Sequence, residues 1–140
     1  MIRVADASAI AALVFGEREK PWVEDQADEA ELLAPPLLLF ELGNVCWKKL
    51  RRFPEQADVV LAAWRTWCAA ALVKPEATDP VETLHLAREH GLTFYDASYL
   101  WLAQDRTADL ITLDAGLVRI ARQLGLCAPT FDTSHNPTLP

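Results

Sequence analysis

Two acids bracket one stretch of this 140-residue chain: Asp96 in Thr93-Phe94-Tyr95-Asp96-Ala97-Ser98, and Asp114 at the end of Asp109-Leu110-Ile111-Thr112-Leu113-Asp114. Asp96 falls where a short loop turns into a helix, near the positive end of the helix dipole, where an anion is tolerated. Leu110 to Leu113 is almost wholly apolar, as a strand covered on both faces of a parallel sheet should be, and Thr112 and Asp114 then project to one face. Open parallel sheets bind ligands outside the carboxyl ends of their strands. An acid at a strand end beside an acid at a helix start is therefore half of a site.

The other half comes from earlier in the chain. Ile2 to Ala5 starts as a strand and ends at Asp6, with Ser8 two residues on and the apolar helix Ala9 to Phe15 behind it. Glu41 lies in a helix expected over Pro36 to Arg52, away from the core stripe of Leu38, Leu42, Val45 and Cys46. Four carboxylates that converge without a counter-charge raise one another's pKa. Such a cluster normally carries a hard divalent cation, and magnesium or manganese fits an all-oxygen set. The chemistry this points to is metal-assisted hydrolysis. Ser8 and Thr112, each two residues from an acid, would hydrogen-bond and orient the carboxylates. Taken singly, each has a blander reading: an Asp at a strand end as a cap, Ser8 as an N-cap, Thr112 as an ordinary β-former. Their regular pairing with acids favours the site.

Glu41, Asn44 and Lys48 follow at three- and four-residue steps and share a helix face, which Arg51 and Arg52 extend. The basic run is either a charged helix end favoured by the dipole or an RNA contact. Phe94 and Tyr95 read as packing residues, and Trp47 and Trp101 as core or subunit interface. Asp79 is a cap; Asp109 and Asp132 stay outside the site. His85 and His90 are badly spaced for a metal, and there is no Gly-rich phosphate loop or Cys-x-x-Cys pair.

The elements that must position these residues alternate. Helices are expected over Glu17 to Asp28, Glu55 to Leu72, Asp79-Pro80 to His90 and Ala115 to Leu124, with short strands at Leu32 to Ala34, Val73 and Ala128 to Phe131. That alternation makes a single α/β domain over 1–132, a short central parallel sheet flanked by helices on both faces, with 133–140 a flexible tail. A chain this long buries roughly 70% of its unfolded surface. The apolar fraction of 51% and charged fraction of 24% are those of a globular protein, and five tryptophans hint at a partner surface. Cys46, Cys68 and Cys127 look like reduced core residues. With no leader and no membrane-spanning apolar run, a cytoplasmic protein is expected. A net charge of −7 argues against general attraction to nucleic acid; it leaves room for a nuclease whose cations are concentrated in one place.

In order and spacing, Val4-Ala5-Asp6-Ala7-Ser8, Glu41 followed by Asn44, Tyr95-Asp96-Ala97-Ser98 and Ile111-Thr112-Leu113-Asp114 resemble the four acid motifs of the PIN domain. The compact length is most similar to VapC-type toxins of toxin-antitoxin pairs. The resemblance implies a magnesium- or manganese-dependent endoribonuclease in which Asp6, Glu41, Asp96 and Asp114 hold the metal and activate water, supported by Ser8, Asn44 and Thr112. Cleavage would leave a 5′-phosphate and a 3′-hydroxyl, with Lys48, Arg51 and Arg52 supplying most of the phosphate attraction. It also implies a homodimer and a small VapB-like antitoxin that wraps the toxin. The competing reading is a non-catalytic metal-binding scaffold that acts through antitoxin binding. A signalling receiver domain would need an adjacent acid pair, and Asp6 is followed by Ala7.

Overall fold

The computed structural model describes residues 1–132; the expected tail at 133–140 lies outside them. The elements run β1 (Ile2–Ala5), α1 (Ala7–Phe15), α2 (Lys20–Ala27), β2 (Glu31–Ala34), α3 (Leu37–Arg52), a short 3-10 turn (Pro54–Gln56), α4 (Ala57–Ala70), β3 (Val73–Pro75), α5 (Pro80–His90), α6 (Phe94–Arg106), β4 (Asp109–Ile111) and α7 (Ala115–Gln123). The four strands pair in parallel in the order β3-β2-β1-β4. This is the α/β fold expected, in one layered unit.

The chain first moves outward from β1 through β2 to β3, then crosses back over β1 to place β4. Right-handed crossovers put the helices of the first half on one face and those of the second half on the other. The packing agrees: α1 meets α2, α3 and α4, while α5 meets α6, and α6 covers β1 and β4 and touches α7. Between them, Val4, Ala5, Leu33, Ala34, Leu110 and Ile111 are almost fully enclosed, which is why these strands are apolar on both faces. The strand order reverses between β1 and β4, and a crevice opens at the carboxyl ends of the strands at such a switch point.

Most helix ends follow from local chemistry. Gly16 stops α1 in a left-handed conformation at φ 64° that costs a glycine little. Asp79 caps α5, accepting from Val81 N at 3.0 Å and Glu82 N at 2.8 Å, with Pro80 at the first helical position. Several boundaries differ from those expected, those of three helices among them. α1 begins at Ala7 because Asp6 takes the cap. α2 is shorter at both ends. α4 stops at Ala70, where Ala71 turns left-handed at φ 49°.

Four expectations are corrected. Ala128 to Phe131 forms no strand. The Ala128 carbonyl is taken by the Arg122 guanidinium at 2.8 and 3.1 Å, and Pro129 has no N–H to offer a ladder. Thr112 and Leu113 lie past the end of β4, where Leu113 N donates to Ser8 Oγ and Asp114 N to Thr112 Oγ1 instead of to a neighbouring strand. Of the three free cysteines only Cys46 is in the core; Cys68 and Cys127 are exposed. Phe94 and Tyr95 are exposed in the first turn of α6, since the buried face of that helix begins at Ala97. Among the described residues no helix is long and apolar enough to cross a membrane.

Candidate active site

Parallel pairing of β1 with β4 sets the register at Arg3 with Asp109, Val4 with Leu110 and Ala5 with Ile111. One more step brings Asp6 beside Thr112, and Asp6 N donates to the Ile111 carbonyl at 3.1 Å to finish the ladder. The side chains then meet. Thr112 Oγ1 donates to Asp6 Oδ2, Ser8 Oγ donates to Asp6 Oδ1 at 2.6 Å, and Ala9 N donates to the same Oδ1 at 3.1 Å. Ser8 Oγ in turn accepts from Leu113 N at 3.0 Å, and Thr112 Oγ1 from Asp114 N at 3.0 Å. Two hydroxyls thus knit the start of the chain to its far end and fix both Asp6 oxygens. Asp6 is only 6% exposed.

Asp114 caps α7, its Oδ1 accepting from Leu117 N at 3.0 Å. Gly116 leaves room for it: a Cβ there would lie 3.2 Å from that Oδ1. Asp96 is the third residue of α6 and does not precede the helix; Thr93 takes the cap, its Oγ1 accepting from Asp96 N at 3.1 Å. Glu41 sits on the border of the buried face of α3, where the Tyr99 hydroxyl donates to its Oε1 at 2.7 Å.

These carboxylates sense one another. Burial pushes Asp6 above the usual carboxylate range, against the pull of its hydrogen bonds from Ser8, Thr112 and Ala9, and the charge of Asp96 pushes the same way. Burial likewise raises Glu41, the Tyr99 bond opposes it, and the charges of Asp96 and Asp6 add to it. Asp96 is raised by burial and then by Asp114, with Thr93 opposing. The Tyr99 hydroxyl is pushed far up by burial and by Glu41, so it stays a donor. Among the described residues the ion pairs are made elsewhere, and none uses Asp6, Glu41, Asp96 or Asp114.

An unneutralised, partly desolvated set of oxygen donors suits a hard divalent cation. The fit lies in donor chemistry and charge; among the described residues no three acidic, histidine or cysteine side chains are grouped closely enough, as they stand, to hold a metal ion. Of the expected site residues, Asp6, Ser8, Thr112 and Asp114 are hydrogen-bonded together, while Glu41 and Asp96 join them through charge. Asn44 is exposed on α3, as are Lys48, Arg51 and Arg52. Tyr99 and Thr93 went unnoticed in the sequence. Thr93-x-x-Asp96 does carry a helix-start signature, but Tyr99 looks like any aromatic on an apolar helix face. A groove of about 540 Å³, lined by Pro35, Leu39, Phe40, Trp67 and Leu72 among others, is apolar and contains none of the four acids.

A family model described as "PIN domain" matches residues 3–123. The chain is 36% identical over 118 residues to "Ribonuclease VapC3" of Pyrobaculum aerophilum, spanning 81% of this chain and 90% of that one. It is 33% identical over 116 residues to "Exonuclease VapC9" of the same organism, spanning 82% of each. The crystal structure of PAE2754 from Pyrobaculum aerophilum superposes with a TM-score of 0.59 at 28% identity, covering 91% of this chain and 92% of the other. VapBC2 from Rickettsia felis, solved bound to a DNA fragment from its promoter, shares the fold with a TM-score of 0.65 at 12% identity, covering 94% and 100%.

Proposed function

The chain belongs to the PIN domain family, in its VapC branch, and from that premise we propose that it is a metal-dependent endoribonuclease and the toxin of a toxin-antitoxin pair. The observation that carries the reading is the group Asp6, Glu41, Asp96 and Asp114 where the strand order reverses: burial and neighbouring acid charges raise the first three, and among the described residues none of the four has an ion pair. Asp6, Asp96, Asp114 and Glu41 would hold magnesium or manganese. When bound, such an ion supplies an acidified water and neutralises the charge that builds on a phosphodiester as it is cleaved.

The residues divide the remaining work. Ser8 and Thr112 freeze Asp6 in one rotamer, so that the donor set needs little reorganisation when it is loaded. Tyr99 occupies Glu41 Oε1 and leaves Oε2 to take a proton from the attacking water. A carboxylate raised above its ordinary range is better matched to that task near neutral pH. Attack in line on phosphorus breaks the bond to the 3′ oxygen and leaves a 3′-hydroxyl and a 5′-phosphate. Lys48, Arg51 and Arg52 would attract the flanking phosphates, and Asn44 lies on their path from Glu41.

A VapB-like antitoxin, as the relatives' names suggest, would be the protein partner. The apolar groove between Pro35 and Leu72 offers it a surface, and a chain of net charge −7 suits a basic wrapping segment. A homodimer belongs to the same reading, and sedimentation measures it.

The test is cleavage of RNA by the purified protein with manganese, abolished by a chelator and restored by added metal. Because one relative is named a ribonuclease and another an exonuclease, a closed circular RNA is the informative substrate. Internal cleavage linearises it; an enzyme that needs an end leaves it intact.

Two substitutions probe the supporting residues. Tyr99→Phe removes only the hydroxyl that orients Glu41 and is expected to lower activity about 10- to 100-fold with an unchanged circular dichroism spectrum. Thr112→Val strips Asp6 Oδ2 of its donor and Asp114 N of its acceptor in a buried place. It should weaken manganese binding by a similar factor, measured calorimetrically, and cost about 1–3 kcal/mol of stability in urea melts.

A further inference from the structure

α3 exposes two strips that packing does not explain. At about 100° per residue, Lys48 and Arg52 each point within roughly 20° of Glu41, one on either side, so the strip that starts at the acid site continues as cations. Further round, opposite the buried Leu38, Leu42 and Cys46, lie Phe40, Asn44, Trp47 and Arg51, all exposed. Trp47 is 51% exposed, though an indole this size gains most when covered. The Arg51 guanidinium lies 4.9 Å from the Trp47 ring centroid, and the Arg52 guanidinium 5.3 Å from that of Phe53.

Charge says what covers this face. Lys48, Lys49, Arg51 and Arg52 are four of the chain's 13 cations, gathered within five residues of a protein of net charge −7. Lys49 pairs with Glu17 at 3.5 Å. Lys48, Arg51 and Arg52 have no ion pair among the described residues and remain available to phosphate. An apolar partner would waste these charges, and an acidic one would leave the indole face unused. A single nucleic-acid strand uses both, its bases stacking on rings and its phosphates meeting cations.

Resting on the ribonuclease reading above, we infer that the outer face of α3 is a track for single-stranded RNA, with Trp47 as a stacking platform for an unpaired base and Lys48, Arg51 and Arg52 on the phosphates. Lys48 stands about 10 Å along the helix axis from Glu41. That is about three nucleotides of stacked strand at roughly 3.4 Å each. Bases in a duplex are already stacked on one another and cannot use the platform, so the track selects unpaired substrate.

Binding is read with a short fluorescein-labelled RNA of mixed sequence, single-stranded or annealed to its complement, in the Asp96→Asn background so that it is not cut. Trp47→Leu is expected to weaken single-strand binding about tenfold or more while duplex binding holds, and Trp47→Phe to recover most of the loss. Lys48→Gln and Arg52→Gln should each flatten the salt dependence by roughly one charge. In the active protein Trp47→Leu should raise KM about tenfold with kcat within about twofold. Unchanged single-strand affinity in Trp47→Leu overturns the inference; if sedimentation then shows a dimer turned monomer, the strip is a subunit interface instead. Wild-type protein that cuts no RNA with any metal removes the ribonuclease reading and this inference with it. Protein that cuts RNA with a KM indifferent to Trp47 removes the inference alone.

Discussion

Asn in place of Asp96 is expected to reduce RNA cleavage by roughly a thousandfold or more while the melting temperature stays the same or rises. Asp96 is the carboxylate that raises both Asp6 and Glu41 and is itself raised by Asp114, which places it at the electrical centre of the cluster. Removing one anion from a divalent-cation site forfeits several kcal/mol of charge stabilisation in the transition state, and each 1.4 kcal/mol or so is a factor of ten in rate. The fold loses little. The Asp96 backbone N–H keeps its bond to Thr93 whatever the side chain. A favourable interaction with the helix dipole goes, a few tenths of a kcal/mol in scale, and repulsion from the neighbouring acids goes with it. Asp109→Asn is the matched control, because Asp109 opens β4 and faces Arg3 at 3.8 Å, outside the cluster; its activity should stay within about twofold of wild type. Equal cleavage by Asp96→Asn and wild type, purified in parallel, would mean that the RNA is being cut at another site or by a contaminant.

The parts of this site that could be read in the sequence are those governed by short-range rules. Asp6 directly follows β1 and Asp114 caps α7, and Ser8 and Thr112 each stand two residues from an acid, a spacing legible in the sequence although neither pair lies within a strand. Parallel register does the rest, setting Asp6 against Thr112 across 106 residues of chain. Glu41 was visible as an acid that lies off the apolar stripe of an amphipathic helix, with Asn44 and Lys48 following on its own face. Tyr99 was not, since its role depends on which helix faces α6 across the core, and no local pattern encodes that. Phe94 and Tyr95 misled for a related reason. Aromatic type suggests burial, but in the first turn of α6 the inward direction begins at Ala97. Ala128 to Phe131 has strand-like composition at its ends, but Arg122, six residues before Ala128, claims the Ala128 carbonyl. Long-range competition for a hydrogen bond leaves no trace in composition.

Stripped of divalent cations, the protein is expected to melt at a falling temperature as pH rises from about 5 to 8, and manganese should reverse the fall. Burial and mutual repulsion hold Asp6, Glu41 and Asp96 above the ordinary carboxylate range, so the folded state favours their protonated forms. Their contribution is therefore fully present below the unfolded values near 4 and is lost as pH climbs through the folded ones. Glu76 acts in the opposite sense. Lys74 and then Arg106 hold it low, so it affects stability only as pH falls below the ordinary glutamate value. The decline as pH rises thus belongs to the three raised acids, Asp6, Glu41 and Asp96. A cation that binds only the folded state adds about 2.7 kcal/mol at a hundred times its Kd, roughly 8 °C for a chain of this size. The shift should be larger at the upper end of the pH range, where the ligands are already deprotonated. Asp6→Asn combined with Glu41→Gln should flatten the pH profile and shrink the manganese shift together, because one set of charges causes both. A flat profile in the wild type with no response to manganese would show that these acids form no cation site, whatever the protein does to RNA. A clear manganese shift in a protein that cuts nothing would instead favour the non-catalytic scaffold, which shares the metal site but lacks the reaction.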